Sequence, residues 1–216
     1  AIYKKGIVDF DKITTIPKNV RANLKVNLGE VLSLKKIFEV EGQQAHKVLF
    51  ETKDKNKIEA VRMLFRPKDD VHESLCISSQ SGCALGCRFC ATGAIGFKKN
   101  LTAEEISDQV LYFKSQGQET DSISFMGMGE PLSNPENVFE AINILTNPEL
   151  MGISPRRINV STVGIVPQIK ILTEKYPQVN LAFSLHSPFP EERLNLMPIT
   201  KSYPIDAVFA ALDAHI

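Results

Sequence analysis

From Ser74 onward the chain alternates short apolar runs with longer amphipathic ones, and this alternation restricts the fold more than any other feature. The runs Ser74–Ser78, Ser122–Met126, Arg157–Ser161 and Val179–Leu185 read as strands. Helical spacing fills the intervals, from Thr102 to Ser115, from Glu136 to Leu145 and from Val166 to Lys175. Thr102, with Glu105 three residues on, forms a capping box that starts the first of these helices. A last helix is expected directly after the fourth strand, in YPIDAVFAALDAHI, where Val208, Phe209, Leu212 and Ile216 recur at helical intervals. Strands and helices of this length build a parallel sheet through crossover connections. The fold class is therefore α/β, and a complete or partial (βα) barrel over residues 71–216 is the economical architecture.

The first third of the chain lacks this rhythm. Residues 1–45 read as a mostly helical accessory region, with a break near Pro17 and a basic amphipathic stretch at Val20–Leu28. Residues 46–70 read as a β-hairpin, with strands KVLFET (47–52) and KIEAVRMLF (57–65) joined by the polar turn Lys53–Asn56. Residues 66–73 form a charged loop.

Charge is also uneven along the chain. Residues 1–100 carry 18 Lys and Arg against 11 Asp and Glu, whereas residues 101–150 carry one Lys against nine acids. The basic runs Lys53, Lys55, Lys57 and Arg62, Arg66, Lys68 suit phosphate contacts, and equally an ordinary solvated surface. No apolar run reaches the roughly 20 residues of a membrane span. The N-terminus AIYKKGIVDFDK lacks the apolar centre of a signal peptide. Four cysteines kept reduced then point to the cytoplasm. The start at Ala1 and the stop inside a helical pattern, without a glycine cap, lead us to expect a fragment.

The polar and glycine-rich runs fall at the C-terminal ends of the four strands. A cysteine loop follows the first, Gly127-Met128-Gly129-Glu130-Pro131 the second, Ser161-Thr162 ends the third and Ser184-Leu185-His186 the fourth. Active sites of parallel βα folds form at that face, so these four signatures predict one site.

The cysteine loop carries the most specific chemistry, Cys83-x-x-x-Cys87-x-x-Cys90. Iron–sulfur clusters are ordinarily held by four cysteine thiolates. Three leave one iron open to a substrate or cofactor. A structural zinc site usually pairs two Cys-x-x-Cys knuckles, or cysteines with histidines at set spacing. No second pair exists here, and His46, His72, His186 and His215 are scattered. Disulfides suit secreted chains better than three thiols crowded on one loop. Cys76, on the first strand, reads as a small buried apolar residue. The glycines at 127 and 129 permit close backbone approach to a ligand, and Glu130 can accept from an ammonium group. Ser161, Ser184 and His186 can donate to a carboxylate or ribose. Taken singly, each is equally a turn glycine, a solvated carboxylate or a capped strand end.

The runs SLCISSQSGCALGCRFCATGAIGFKKNLT, ISFMGMGEPL, SPRRINVSTVGIVP and FSLHSPFPEERLNLMPI resemble the Cfr/RlmN family of radical S-adenosylmethionine RNA methyltransferases. CISSQ, SLHSP with Ser187, and YPQVN are closer to the Cfr branch, while GEPL at 129–132 is closer to RlmN. The resemblance implies a 4Fe-4S cluster on Cys83, Cys87 and Cys90, with S-adenosylmethionine at Gly129, Glu130, Ser161 and Ser184, Leu185 and His186. It implies that Glu59 accepts a ring proton and that Cys76 resolves a covalent protein–RNA adduct through a disulfide. The implied substrate is an adenosine of 23S rRNA near the peptidyl-transferase centre. Methylation would fall at C8 in a Cfr-like protein, conferring antibiotic resistance, or at C2, with tRNA as a second substrate, in an RlmN-like one. A monomer served by an electron donor such as flavodoxin is implied as well. No cysteine follows Cys90, so the family's methyl-carrying cysteine has no counterpart in this sequence. The chain as it stands is therefore expected not to methylate RNA.

Overall fold

The computed structural model describes residues 1–65 and 71–215. Arg66 and Lys68 of the basic run, the charged loop at 66–70 and the terminal Ile216 lie outside the described residues.

The N-terminal region opens with a short helix α1 (Ile2–Lys5), a 3-10 turn at Phe10–Lys12 and helix α2 (Lys18–Leu28). Pro17 precedes α2, which is where the sequence placed its break. No residue of α2 is buried, and Val26 and Leu28 face outward, so its apolar positions do not form a core face. Residues Lys35–Glu41 then form strand β1, a correction to the helical reading of this region. The segment KKIFEVE pairs along β2 (Ala45–Glu51), from Lys35 opposite Glu51 to Glu41 opposite His46, with Ile37 left out of the register at a bulge between Lys36 and Phe38. That pairing outweighs the weak local helical preference of its lysines and glutamates. The expected hairpin is present as β2 and β3 (Lys57–Phe65), turning at Lys55 with φ 68°.

Strand β4 (His72–Cys76) follows, so His72 and Glu73 belong to a strand and not to the charged loop. The short β5 (Gln80–Ser81) leads to the cysteine loop and helix α3 (Ala91–Ile95), and β6 (Lys99–Asn100) pairs back with β5. Then come α4 (Ala103–Ser115), β7 (Ser122–Phe125), α5 (Pro135–Thr146), β8 (Ile158–Thr162), α6 (Val166–Lys175) and β9 (Asn180–Phe183). The capping box is formed: Glu105 N–H donates to the Thr102 hydroxyl at 3.2 Å, and Thr102 N–H to the Glu105 carboxylate at 3.0 Å. The last helix does not follow β9 directly. A helix α7 (Pro190–Leu196) and a 3-10 turn at Pro198–Lys201 intervene before α8 (Ile205–Asp213). Pro190 and Pro198 each open a new helical turn, since proline fits a first helical position and not an interior one.

One seven-stranded sheet runs in the order β1-β2-β3-β4-β7-β8-β9. It is antiparallel from β1 to β4 and parallel from β4 to β9. One face carries Leu75, Ile77, Ile123, Phe125, Ile158 and Val160, all buried in a core shared with α4, α5, α6 and α8. The other face is different in kind. Its cross-strand row reads Val61, Cys76, Ser124 and Asn159, and Ser161 lies one step further along. Small and polar side chains on this face leave it concave and able to receive a ligand, as a barrel interior would.

Candidate functional site

Past Cys76 the chain leaves the ladder and polar side chains take over its positioning. Gln109, fully buried on α4, grips Ser78 at both backbone atoms: its Oε1 accepts from Ser78 N–H at 2.8 Å and its Nε2 donates to the Ser78 carbonyl at 2.9 Å. The Ser78 hydroxyl donates to the Glu59 carbonyl at 2.6 Å and accepts from Met128 N–H at 2.9 Å. Gln80 Oε1 accepts from Glu130 N–H at 2.9 Å, and Asn134 Nδ2 donates to the carbonyls of Ser79 and Leu101 at 3.0 and 2.8 Å. The hairpin, the cysteine loop and the 127–131 loop are thus bolted to one another through buried polar groups, which are costly to leave unmet. Two glycines are required for this closeness. Gly129 has φ 97°, and a Cβ there would come within 2.5 Å of the Gln80 side chain. Gly82 has φ 73°, and a Cβ there would fall on the Gly96 carbonyl.

Cys83, Cys87 and Cys90 sit on this framework, all half-buried and free. Cys90 N–H donates to the Cys87 carbonyl at 3.1 Å, closing the loop just before α3. Burial, aided by the charges of Glu130 and of neighbouring loop sulfurs, pushes the Cys83 and Cys87 thiols up. Such thiols keep their protons until a cation offsets the charge. A structural zinc site draws on a second cysteine or histidine pair, and none stands beside this loop in the sequence. Three thiols on one loop are instead the donor set of an iron–sulfur cluster with one iron left open.

The far side of the loop docks on the segment after β9. Arg88 N–H donates to the Leu196 carbonyl at 3.0 Å and its guanidinium to Asn195 Oδ1 at 2.6 Å. The Phe89 ring packs on His186 with centroids 4.2 Å apart, and His186 adopts φ 58°, unusual for a residue with a side chain. Beneath it, Arg193 of α7 is fully buried. Its guanidinium donates to the carbonyls of Val163, Leu185 and Ser184 at 2.7, 3.1 and 3.3 Å, and lies 5.0 Å over the Phe183 ring. This one side chain ties together the segments just past β8 and β9, beyond the point where Ser184 N–H donates to the Thr162 carbonyl at 2.8 Å.

The structure thus gathers the cysteine loop, Gly129, Glu130 and Ser184, Leu185 and His186 at the C-terminal ends of the parallel strands. Glu130 departs from the solvated-turn reading. It is buried, its oxygens accept from Leu132 N–H at 3.1 Å and Val163 N–H at 3.0 Å, and burial pushes its carboxyl up to about 7. The Ser161 hydroxyl donates to the Phe125 carbonyl at 2.9 Å on the concave face. Glu59 is half-buried and paired with Lys47 at 3.0 Å, rather than fully exposed. Cys76 lies in the cross-strand row with Ser124 and Asn159, beside the Ser124 hydroxyl and Met126 N–H, and burial raises its thiol pKa. Ser78, Gln80, Gln109, Asn134 and Arg193 went unassigned in the sequence. The available signal was polarity out of place: SSQS directly after an apolar strand, and Gln109 inside an apolar helical face.

Comparisons with known proteins agree with this geometry. Residues 77–215 match the family described as the Radical SAM superfamily. The chain is 53% identical, over its whole length, to the ribosomal RNA large subunit methyltransferase Cfr of Staphylococcus warneri, and covers 61% of that relative. It is 52% identical to the Cfr protein of Clostridium botulinum (strain Loch Maree / Type A3), covering 62% of it. The crystal structure of a radical SAM methyltransferase from Sphaerobacter thermophilus superposes with a TM-score of 0.91 at 40% identity, over 99% of this chain and 63% of that one. The chain therefore spans about 61% of the length of the first curated relatives it matches. Radical SAM methyltransferases use a 4Fe-4S cluster and S-adenosylmethionine, the two groups anticipated from the cysteine spacing. On its three-cysteine loop and its match over residues 77–215, the chain belongs to the radical SAM superfamily.

Proposed function

We propose that the protein methylates an adenosine of 23S rRNA, at C8, by radical S-adenosylmethionine chemistry. The observation that carries this reading is the shared placement of Glu59 and Cys76. Val61 is the cross-strand partner of Cys76, and Glu59, two residues away, projects from the same concave face, beside the loop that bears Cys83, Cys87 and Cys90. An acid–base group and a spare thiol beside a three-cysteine loop suit a reaction that must both deprotonate a ring carbon and release a covalent adduct. The names of the relatives, ribosomal RNA large subunit methyltransferases, support the substrate class.

The bound cluster and S-adenosylmethionine supply the one-electron chemistry that functionalises an electron-poor adenine carbon. This chain's residues supply the cluster ligands, the cofactor frame, the base and one of the two further cysteines, and the methyl-carrying cysteine has no counterpart in this sequence. Cys83, Cys87 and Cys90 hold the cluster as thiolates. The backbone at Gly129 and Glu130, the Ser161 hydroxyl and the Ser184, Leu185 and His186 turn frame the cofactor. Glu59, paired with Lys47 at 3.0 Å, takes the ring proton. Cys76, whose thiol pKa burial raises, would lose its proton and attack the sulfur of the adduct-bearing cysteine, forming an S–S bond as the sulfur–carbon bond to the product breaks. That second cysteine must come from the full-length protein. A flavodoxin-type donor supplies electrons, and the protein acts as a monomer in the cytoplasm. No helix among the described residues is long and apolar enough to cross a membrane.

The test is reaction of the full-length protein with 23S rRNA, S-adenosylmethionine and a reductant, read by nucleoside mass spectrometry. We expect 8-methyladenosine. 2-Methyladenosine would transfer the assignment to C2 chemistry, with tRNA to be assayed next. Unmodified adenosine throughout would overturn both.

A further inference from the structure

Between the hairpin and the cysteine loop lies an open cavity of about 620 Å³. Its apolar surface comes from Leu49 on β2, Met128 on the glycine loop and Ile95 on α3, the helix that leaves the cysteine loop. Its rim is basic. Lys47, Lys55, Lys57 and Lys98 line it, against the single carboxylate of Glu59. Lys47 is paired with Glu59 at 3.0 Å and Lys55 with Glu51 at 2.9 Å. Lys57 and Lys98 have no carboxylate partner among the described residues.

These two unpaired lysines are distant in sequence and are brought to one lip of the cavity by a single residue. The Ser81 hydroxyl donates to the Lys57 carbonyl at 3.0 Å, and the Ser81 carbonyl accepts from Lys98 N–H at 2.9 Å. Ser81 is buried and stands two residues before Cys83. The backbone positions from which the two cations extend are therefore tied to the same strand that launches the cysteine loop.

We propose that Lys57 and Lys98 form a phosphodiester clamp for single-stranded RNA, holding the backbone on either side of a nucleotide whose base rests on Leu49, Ile95 and Met128. This rests on the RNA reading given above. Bases splayed from single strands stack on apolar surface while lysines track their phosphates, and a concave apolar floor with a cationic rim matches both demands. An acidic protein partner would call on the lysines alone, whereas a splayed nucleotide uses the apolar floor as well as the cationic rim, and the recess presents both.

The experiment is fluorescence anisotropy of the full-length protein with labelled single-stranded oligoadenylate and oligouridylate, titrated with salt. Each phosphate contact on a single strand contributes about 0.7 to the slope of log affinity against log salt. K57Q and K98Q are each expected to lower that slope by about 0.7, and together by about 1.4, equally for both sequences. K4Q, at an exposed lysine paired with Glu149 outside the cavity, should leave it unchanged. Urea midpoints matching the wild type would show that the fold is intact. Oligonucleotide binding with an unaltered slope in K57Q and K98Q overturns the clamp and leaves the methyltransferase reading in place. The same unaltered slope, with loss of reduction by flavodoxin, assigns the two lysines to a protein partner instead. No RNA binding by the wild type at any salt overturns the clamp and the RNA reading together.

Discussion

The Arg193 guanidinium donates to the Val163 carbonyl at 2.7 Å and to the Thr200 hydroxyl at 2.6 Å, in full burial and with no carboxylate partner among the described residues. An ion pair replaced by apolar groups can be neutral in stability. Arg193 is different, because three of its four partners are backbone carbonyls that stay polar whatever replaces the side chain. Each buried acceptor left unmet costs about 1–3 kcal/mol. R193M is therefore expected to lose about 3 kcal/mol or more in urea unfolding. R193K keeps the charge without the planar fork and should fall between R193M and the wild type. Equal midpoints for R193M and wild type would show that the strand ends do not depend on this side chain.

Ser78 couples the hairpin to the glycine loop through one hydroxyl, which donates to Glu59 and accepts from Met128 N–H. In S78A, the Met128 N–H loses its partner in a buried setting, at a cost of about 1–3 kcal/mol. S78T preserves the hydroxyl and should recover most of the loss if the methyl is accommodated. If S78A matches the wild type in thermal unfolding, the coupling carries no energy.

Much of this arrangement was legible in the sequence. The βα alternation placed the parallel strands to within two residues, because each buried run is flanked by a helix with its own start signal, such as the Thr102 capping box. The cysteine loop and the position of the glycine and serine turns at the strand ends were legible because local sequence alone dictates them. What stayed hidden is non-local. Strand β1 exists because β2 pairs with it, and its KKIFEVE pattern carries charge at most positions. The grip of Gln109 on Ser78 spans 31 residues, and that of Arg193 on Val163 spans 30. No periodicity records such pairings. The buried state of Glu130 was hidden for the same reason, since Val163 supplies one of its donors from the neighbouring strand.

The four cysteines should separate cleanly on cluster assembly. C83A, C87A and C90A are each expected to reduce iron and sulfide per chain to background after anaerobic reconstitution. C76A should keep full occupancy, since its thiol lies on β4 beside Ser124 and apart from the loop. Metal analysis with electron paramagnetic resonance reads the outcome. Loss of iron in C76A would make Cys76 a ligand, and stoichiometric zinc in the wild type would remove the cluster from the site.

Asp108 on α4 gives the fold a pH dependence that is independent of the cluster. Its Oδ2 accepts from Ser33 N–H at 2.6 Å and from the Ser33 hydroxyl at 2.7 Å. Burial raises its pKa above 3.8, nearby Glu104 adds to the rise, and the Ser33 bonds and Lys53 oppose it. In the folded state the carboxyl thus keeps its proton over a range where the unfolded chain has already lost it. More protons bound by the folded state means that stability falls as pH rises from 3.8 through the raised value, and is flat above it. D108N retains an oxygen that accepts both Ser33 bonds and has nothing to titrate. Its unfolding free energy should therefore lose this downward slope, and at neutral pH it should equal or exceed that of the wild type. D108A, which leaves the Ser33 donors unmet, should be less stable than D108N by about 1–3 kcal/mol. Urea unfolding of the three proteins from pH 4 to 8 checks both statements, and parallel pH profiles for D108N and wild type would contradict the first.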